Sequence, residues 1–367
     1  MNSLFAEYPA LRDAMPCIDL AELPTPVEPL PSFCAETGAA SVHVKRDDLT
    51  SPVYGGNKVR KLALLLGAAQ ARGARSVITF GGAGSNHALA TAIFAARLGM
   101  RCRSILGPQH NAHSVRHNLL AALHAGAILC PCAWRDTAQE TRRRFFGAAE
   151  EEGAFPSVIP PGGSSPLGAV GFVDAAFELR DQVRTGVLPE PHYIYVASGT
   201  MGTCVGLALG LAAAGMPTRV EAVRVTTNPY TGMTHAQALF RACNRLLREA
   251  DPDFPECPFP EDRFHIRDEF FGGEYALYTQ ASVEAVRRAR EDGGIRLEGT
   301  YTGKTFAALL HDADARALRG KNILFWNTHN SRDTAALGAD ADWHDLPPAL
   351  HRYFEEPVQP LDKEWAR

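Results

Sequence analysis

Short apolar runs alternate with helical patterns along most of the chain. Seven runs, each about the length of one strand, lie at 76–80, 102–106, 127–130, 157–160, 193–197, 220–226 and 321–326. Stretches with apolar residues at helical spacing lie before or between them, at 60–73, 86–99, 113–126, about 136–151, 167–183, 205–215 and 233–249. Strands that alternate with helices favour parallel sheets covered on both faces. The pattern predicts an α/β fold that binds ligands at the carboxyl ends of its strands.

Length and charge narrow the class of protein. A chain of 367 residues corresponds to about two domains, or to one large α/β unit with an insertion. A net charge of -4 gives no indication of nucleic acid or an anionic membrane as partner. The sequence has neither a signal-peptide pattern nor an apolar stretch of the ~18 residues that a membrane span needs. Eight scattered cysteines do not make a disulfide scaffold, so we expect a reduced, cytoplasmic protein.

Three of the apolar runs end in a glycine-rich turn that opens a helical pattern. The turns lie at 81–86, 162–165 and 198–203, and the last consists of Ser198, Gly199, Thr200, Met201, Gly202 and Thr203. Such a turn presents unpaired backbone N–H groups and the positive end of a helix dipole, which together bind an anion, most often a phosphate. One turn of this kind is more often only a capped helix start. Three of them predict a site that binds several anionic groups.

Lys58 follows Gly55, Gly56 and Asn57 and precedes the helical pattern at 60–73. It is one of only six lysines, and a cation is disfavoured at a helix N-terminus. An amine pushed toward neutrality in such a turn could form a Schiff base. A phosphate site together with such a lysine suggests pyridoxal 5′-phosphate. A dinucleotide fits less well, because the G-x-G-x-x-G spacing is not met by SGTMGT.

Five motifs resemble one family. GGNKVRKL, GGAGSNHALATA, IPPGGSSPLGAVGF, YVASGTMGTCVGLALGL and YTGK are similar to the signatures of the D-cysteine desulfhydrase / 1-aminocyclopropane-1-carboxylate deaminase group. The similarity covers about residues 40–330, with the motifs in the expected order. It implies the pyridoxal-phosphate fold type II of tryptophan synthase β, with two doubly wound α/β domains. The expected division is a large cofactor-binding domain, 1–59 and 171–367, and a small inserted domain, 60–170.

The resemblance also implies roles for individual residues. Lys58 would be the Schiff-base lysine and main proton carrier, and the loop from Ser198 to Thr203 would bind the phosphate. Asn86 would hydrogen-bond the phenolic oxygen of the cofactor. Ser85, with the backbone amides of Asn86 and His87, would bind the substrate carboxylate. The remaining matches are Tyr275 and Tyr301, which would line the substrate side and position or protonate a leaving group, and Thr328, whose hydroxyl would face the pyridine nitrogen.

One substitution bears on the reaction. In the deaminase branch of the family, a glutamate that protonates the pyridine nitrogen follows the tyrosine of the YTGK-type motif, whereas this chain has Thr302. A hydroxyl beside the pyridine nitrogen, from Thr302 or Thr328, would leave that nitrogen largely neutral. The cofactor would then be a weaker electron acceptor, which suffices for α,β-elimination of a good leaving group. We therefore expect a lyase that converts a small amino acid, with D-cysteine as first candidate, to pyruvate, ammonia and sulfide. The alternatives are ring opening of 1-aminocyclopropane-1-carboxylate, a lyase for another β-substituted amino acid such as cysteate, a cofactor-binding homologue without turnover, and a sugar-phosphate binder without this cofactor.

The chain departs from the family pattern at several positions. Gly84 replaces the usual Gln, 88–90 is apolar, His329 and Asn330 replace two glycines, and the extension after residue 330 is longer than expected. His110, His113 and His117 share a helical face, but without a fourth ligand they do not predict a metal site. The resemblance implies a homodimer.

Overall fold

The computed structural model describes residues 3–227 and 230–362, and its strands form two separate sheets. The strands are β1 (Val27–Pro29), β2 (Ser41–Lys45), β3 (Ser76–Gly82), β4 (Arg101–Gly107), β5 (Ile128–Pro131), β6 (Ser157–Val158), β7 (Tyr193–Ser198), β8 (Arg219–Arg224), β9 (Phe264–Arg267) and β10 (Asn322–Trp326). All seven predicted runs form strands within a few residues of the predicted bounds.

The large sheet has the order β1-β2-β10-β7-β8-β9, and the small sheet has the order β5-β4-β3-β6. All described pairs are parallel except β1 with β2, which is antiparallel. In the large sheet, β10 runs between β2 and β7, with Phe325 opposite both Val44 and Tyr195. The edge strand β1 has three residues and ends in Pro29, which cannot donate to a ladder.

Helices cover both sheets. They are α1 (Ser3–Glu7), α2 (Ala10–Ala14), α3 (Pro31–Thr37), α4 (Lys58–Ala71), α5 (Asn86–Arg97), α6 (His113–His124), α7 (Thr137–Glu152), α8 (Pro166–Arg184), α9 (Gly202–Ala213), α10 (Met233–Ala250), α11 (Gln280–Gly293), α12 (Thr302–Asp314) and α13 (Arg352–Glu355). Short 3₁₀ turns lie at Asp47–Leu49, Trp134–Asp136, Pro161–Gly163, Trp343–Asp345 and Pro348–Leu350. This arrangement confirms the predicted α/β class with helices against parallel strands.

Side chains of the central strand β7 enter two different cores. Ile194 and Val196 pack in the cluster that contains α8 and α9. Tyr195, which points to the opposite face because side chains alternate along a strand, packs in the cluster that contains α11 and α12. Both faces of the large sheet are therefore covered, as expected for a parallel sheet.

The two sheets draw on different parts of the chain. The small sheet spans residues 76–158, and the large sheet combines 27–45 with 193–326. The domain division at 59/60 and 170/171 is compatible with this distribution and stays a prediction; α8 (Pro166–Arg184) crosses the second boundary.

A buried ionic cluster supports the segment that leads to Lys58. Glu178 on α8 pairs with Lys45 at 2.5 Å and with Arg60 at 3.0 Å. Arg60 also pairs with Asp47 at 2.8 Å, and the indole Nε1 of Trp326 donates to Asp47 at 2.8 Å. The cluster joins β2, α4, α8 and β10 at one point. Asp47 is therefore engaged in a structural ion pair in the core.

Candidate active site

A cavity of about 860 Å³ opens at the carboxyl ends of strands from both sheets. Its wall contains residues from the ends of β3 and β7 and from the segments after β4 and β10. Every residue predicted for the site contributes to this wall except Ser198: Lys58, Ser85, Asn86, His87, Gly199, Thr200, Met201, Gly202, Thr203, Tyr275, Tyr301 and Thr328. The structure thus brings together residues that are up to 270 positions apart in the sequence.

Lys58 is the first residue of α4, and its amine faces the cavity. Its Nζ donates a hydrogen bond of 2.7 Å to Asn57 Oδ1, and Asn57 Nδ2 in turn donates to Thr203 Oγ1 at 3.0 Å. Burial lowers the pKa of Lys58 to about 8, although the negative charge of Glu298 opposes the shift. A useful fraction of this amine is therefore neutral, and nucleophilic, near neutral pH.

The turn before Lys58 is held against the end of β10. The N–H of Gly55 donates to Asn330 Oδ1 at 2.7 Å, and the N–H of Asn57 donates to the carbonyl of Thr328 at 3.2 Å. A Cβ at position 55 would lie 1.9 Å from the carbonyl oxygen of Asp48, so only glycine allows this close approach. These contacts fix where α4 begins and hence where the Lys58 amine enters the cavity.

The loop after β7 has the features of a phosphate site. It ends at the N-terminus of α9, where Met201 has a positive φ of 67°, a strained conformation for a residue with a Cβ. The N–H of Gly202 donates to Ser164 Oγ at 3.1 Å, and that hydroxyl lies 2.7 Å from Thr200 Oγ1. Two of the three predicted anion-binding turns therefore meet at one place.

Lys61, one turn after Lys58, places its amine next to this loop. Its Nζ donates to the carbonyl of Gly162 at 3.2 Å and to Ser164 Oγ at 3.4 Å. Burial, with the nearby charge of Lys58, holds the pKa of Lys61 well below its usual value. An anion bound between this amine and the N-terminus of α9 would compensate the buried charge. Sequence reasoning missed Lys61, although its i+3 spacing from Lys58 places both on one helix face.

Ser198 makes its side-chain contact within the loop and does not line the cavity. It is buried, and its hydroxyl donates to Met201 Sδ at 2.9 Å rather than reaching the cavity. Its predicted contact with the phosphate stays a prediction.

The third predicted turn lies at the N-terminus of α5 (Asn86–Arg97). Ser85 caps the helix, with its Oγ accepting from the N–H of Ala88 at 3.2 Å. This leaves the N–H groups of Asn86 and His87 available to a ligand. The side-chain oxygen of Asn86 accepts from Asn118 Nδ2 at 2.9 Å and from the hydroxyl of Tyr54 at 3.4 Å. The Nδ2 of Asn86 is therefore the end of its side chain that can donate to a ligand. A carboxylate fits this helix terminus.

Two phenols face the cavity as a pair. The hydroxyls of Tyr275 and Tyr301 are 2.5 Å apart, and burial raises the pKa of both groups, so both are protonated at neutral pH. The carboxylate of Glu298 accepts from the N–H groups of Tyr301 at 2.7 Å and Thr302 at 2.9 Å. Glu298 therefore caps α12 and fixes the backbone of Tyr301. Its position just before a helical segment was an overlooked capping signal.

The two candidate hydroxyls for the ring nitrogen lie in different places. Thr328 lies on the cavity wall after β10. Thr302 is buried in the first turn of α12, and its side chain donates to Glu298 Oε1 at 3.3 Å instead. His329 and Asn330, which depart from the family pattern, also line the cavity. Burial lowers the pKa of His329, so its imidazole is neutral at neutral pH.

The three histidines near residue 113 have different partners. His110 lies 2.7 Å from Glu274, His113 lies 2.9 Å from Asp362, and His117 lies 2.9 Å from the hydroxyl of Thr334. Within residues 3–227 and 230–362, no group of three or more His, Cys, Asp or Glu side chains is arranged to bind a metal ion. Among the helices of the same residues, none has the combination of length and apolar character that a bilayer crossing requires.

Comparisons with known proteins agree with this geometry. A family model described as pyridoxal-phosphate dependent enzyme matches residues 18–329. The chain is 35% identical to a nocardicin C-9′ epimerase of Nocardia uniformis subsp. tsuyamanensis over 93% of this chain and 99% of that one. It is 32% identical to a D-cysteine desulfhydrase of Klebsiella pneumoniae over 85% of this chain and 93% of that one.

A solved structure shows the same architecture. The crystal structure of an ACC deaminase homologue superposes with a TM-score of 0.77 at 31% identity, covering 93% of this chain and 98% of that one. The predicted resemblance, the fold type II architecture and the cofactor are thereby confirmed. The chain belongs to the pyridoxal-phosphate dependent enzymes.

Proposed function

We propose that the protein catalyses α,β-elimination on a small amino acid, with D-cysteine as the first candidate, releasing pyruvate, ammonia and sulfide. The observation that carries this proposal is the meeting, in one cavity, of the Lys58 amine, two helix N-termini suited to anions and a pair of protonated phenols. Relatives named D-cysteine desulfhydrase, at 32–33% identity, support the choice of substrate.

The donor set of the cavity fits pyridoxal 5′-phosphate. The loop 199–203, with Ser164 and the buried amine of Lys61, would hold the phosphate. Asn86 would donate to the phenolic oxygen, Thr328 would face the ring nitrogen, and Lys58 would bind the aldehyde carbon. When bound, the cofactor withdraws electrons from the Cα of an attached amino acid and so acidifies its proton.

The residues on the wall then have separable tasks. Lys58 Nζ, with its lowered pKa, takes up the proton from Cα. The N–H groups of Asn86 and His87 hold the carboxylate, which orients the substrate. The hydroxyl pair of Tyr275 and Tyr301 donates a hydrogen bond to the departing thiolate and can supply its proton.

The residues that line the cavity favour elimination over opening of a cyclopropane ring. The two glutamates among them are both engaged, since Glu274 pairs with His110 at 2.7 Å and Glu298 accepts three backbone N–H groups of 300–302. The ring nitrogen would therefore meet the hydroxyl of Thr328 rather than a free carboxylate. A hydroxyl leaves that nitrogen largely neutral, which suffices for loss of a good leaving group.

A substrate panel tests this proposal. We expect keto acid and sulfide from D-cysteine, with turnover at least tenfold above that for cysteate and for 1-aminocyclopropane-1-carboxylate. Ketobutyrate from the cyclopropane substrate as the main product would support the deaminase instead. A protein that changes the cofactor spectrum with amino acids but releases no keto acid would be a binding homologue. A colourless protein that binds no cofactor would overturn the account.

Stereoinversion is a second candidate, favoured by the 35% identity to a relative named as an epimerase. Inversion needs a proton removed on one side of Cα and returned on the other, and the cavity offers the Lys58 amine and the tyrosine pair as separate proton carriers. Incubation with D- and L-amino acids in deuterated water distinguishes the two reactions. Exchange at Cα with racemisation and no keto acid would favour inversion.

The lowered pKa of Lys58 predicts how cofactor-free protein binds its cofactor. Because the neutral amine is the nucleophile, we expect the rate of bond formation to rise with pH up to about 8 and then level off. In Nα-acetyl-lysine only the ε-amine is free, with a pKa of about 10.4, and its rate should keep rising above pH 9. Stopped-flow absorbance measures both rates. An inflection near 10 in the protein would contradict the burial argument.

Three further parts of the proposal concern assembly, location and domain division, and of these the homodimer rests on the resemblance alone. We infer a homodimer, a cytoplasmic location and the division into a large domain, 1–59 and 171–367, and a small domain, 60–170. Sedimentation equilibrium tests the first, and limited proteolysis near the boundaries tests the last.

A further inference from the structure

Gly82, on the cavity wall, and Gly84, two residues later, leave room for one side chain from another strand end. Gln109, which follows β4, places its carboxamide between Gly82 and Gly84. A Cβ at position 82 would lie 2.2 Å from Gln109 Oε1, and a Cβ at position 84 would lie 3.1 Å from Gln109 Nε2. The carboxamide thus fills space next to the N-terminus of α5, where the sequence has Gly84 in place of a larger residue.

The orientation of this carboxamide is fixed by one hydrogen bond. The N–H of Gly84 donates to Gln109 Oε1 at 2.9 Å, which requires the oxygen to face the turn. Nε2, the donor end, makes no hydrogen bond within residues 3–227 and 230–362. Gly82 also lies against Tyr275, since a Cβ there would be 3.0 Å from Tyr275 Cε1. The oxygen is therefore the end of the carboxamide nearer Gly82, and the free Nε2 lies beside Gly84, directly before the Ser85 cap of α5.

The C-terminal extension holds Gln109 in place. The N–H of Gln109 donates to the hydroxyl of the buried Tyr353 at 3.0 Å, and Arg116 Nε donates to the carbonyl of Tyr353 at 2.7 Å. Farther along, Gln359 accepts from the N–H of Tyr278 at 2.7 Å and donates to the carbonyl of Ala276 at 3.1 Å. The extension therefore connects the segment after β4 to the segment that carries Tyr275.

We propose that Gln109 is a substrate-binding residue whose Nε2 donates to the α-carboxylate of the amino acid held at the N-terminus of α5, and that Tyr353 is its positioning residue. The inference rests on the proposed function, since it needs an amino-acid substrate in this cavity. A carboxylate is the ligand that suits the place, because Nε2 adds a side-chain donor to the free N–H groups of Asn86 and His87.

The test measures binding of D-alanine, which has a carboxylate but no β-leaving group, and of D-alaninamide, which has no carboxylate, by the change in cofactor absorbance. Gln109→Met keeps the length of the side chain and removes the donor. It should weaken D-alanine binding about tenfold and leave D-alaninamide binding unchanged. Gln109→Glu places a negative charge next to the carboxylate and should weaken D-alanine binding about 100-fold. Gln237→Met, on α10 away from the cavity, is the matched control and should change neither value.

Tyr353→Phe removes the hydroxyl that accepts from Gln109. It should weaken D-alanine binding a few-fold alone and have no added effect in the Gln109→Met background, because both changes act through one donor. Equal weakening of both ligands by Gln109→Met would show a structural role and overturn the proposal, as would unchanged D-alanine binding. If the wild type binds D-alanine but releases no keto acid from any β-substituted amino acid, elimination fails while the Gln109 contact is still measured by the same titration.

Discussion

Lys58→Ala is expected to lower turnover by a factor on the order of 10³ or more, since it removes the residue proposed both to attach the cofactor and to take up the Cα proton. The variant should also lose the cofactor adduct that borohydride makes permanent. Its fold should persist, because the change removes an amine that burial already pushes toward neutrality, with a pKa of about 8. Steady-state keto-acid release and the mass of the reduced protein measure the two effects.

Lys321→Ala is the matched control. Lys321 precedes β10 on the side away from the cavity, so its removal should leave turnover and the adduct unchanged. A Lys58→Ala protein that turns over normally and still carries a borohydride-reducible adduct would show that another amine binds the cofactor.

Glu178→Ala is expected to lower the free energy of unfolding by about 3–5 kcal/mol, because it leaves two buried cations with too few partners. Glu178 pairs with Lys45 and Arg60 in the core between β2, α4 and α8. Glu190→Ala, at an exposed position, should change the same free energy by less than about 0.5 kcal/mol. Denaturant titration at pH 7 compares the two variants, and similar small losses in both would contradict the role assigned to the cluster.

The carboxylate of Glu178 also predicts how the stability of the fold depends on pH. Burial alone would raise the pKa of Glu178, but Arg60 and Lys45 outweigh burial and lower it from 4.5 to about 2. A carboxyl whose pKa is lowered by folding stabilises the fold at pH values above its pKa in the unfolded chain. That contribution is lost as the pH falls through its pKa in the folded protein. The shift corresponds to about 3 kcal/mol at pH 7. The difference in the free energy of unfolding between wild type and Glu178→Ala should therefore shrink as the pH falls from 4.5 to 2. A difference that stays constant over this range would contradict the role of Glu178.

The alternation of strands and helices was predictable because it depends on local pattern. Parallel strands buried on both faces are continuously apolar, and glycine turns mark where they end. The strand β9 (Phe264–Arg267) was missed, since FHIR mixes polar and apolar residues and follows a proline-rich loop. The antiparallel edge strand β1 was missed for a similar reason, being three residues that end in proline.

The candidate site was predictable where motifs carried it. Lys58, Ser85 and the loop 199–203 lie in local patterns with a physical reason for their residue types. Gln109 and Tyr353 do not, because their contact joins residues 244 positions apart and depends on space left by Gly82 and Gly84. Glu298 and Lys61 lay within reach of local rules, as a helix cap and as a lysine one turn after Lys58. The extension after residue 330 gained a structural role only when its contacts with the segment after β4 were visible.

Peptide mapping of borohydride-reduced wild-type protein tests the central claim most directly, because it identifies the amine that carries the cofactor. The account predicts that the reduced cofactor adds its mass to the peptide containing Lys58, with Lys61, Lys304 and Lys321 unmodified. Modification at Lys61 or Lys304 instead, or no modified lysine in freshly purified protein supplied with the cofactor, would contradict it.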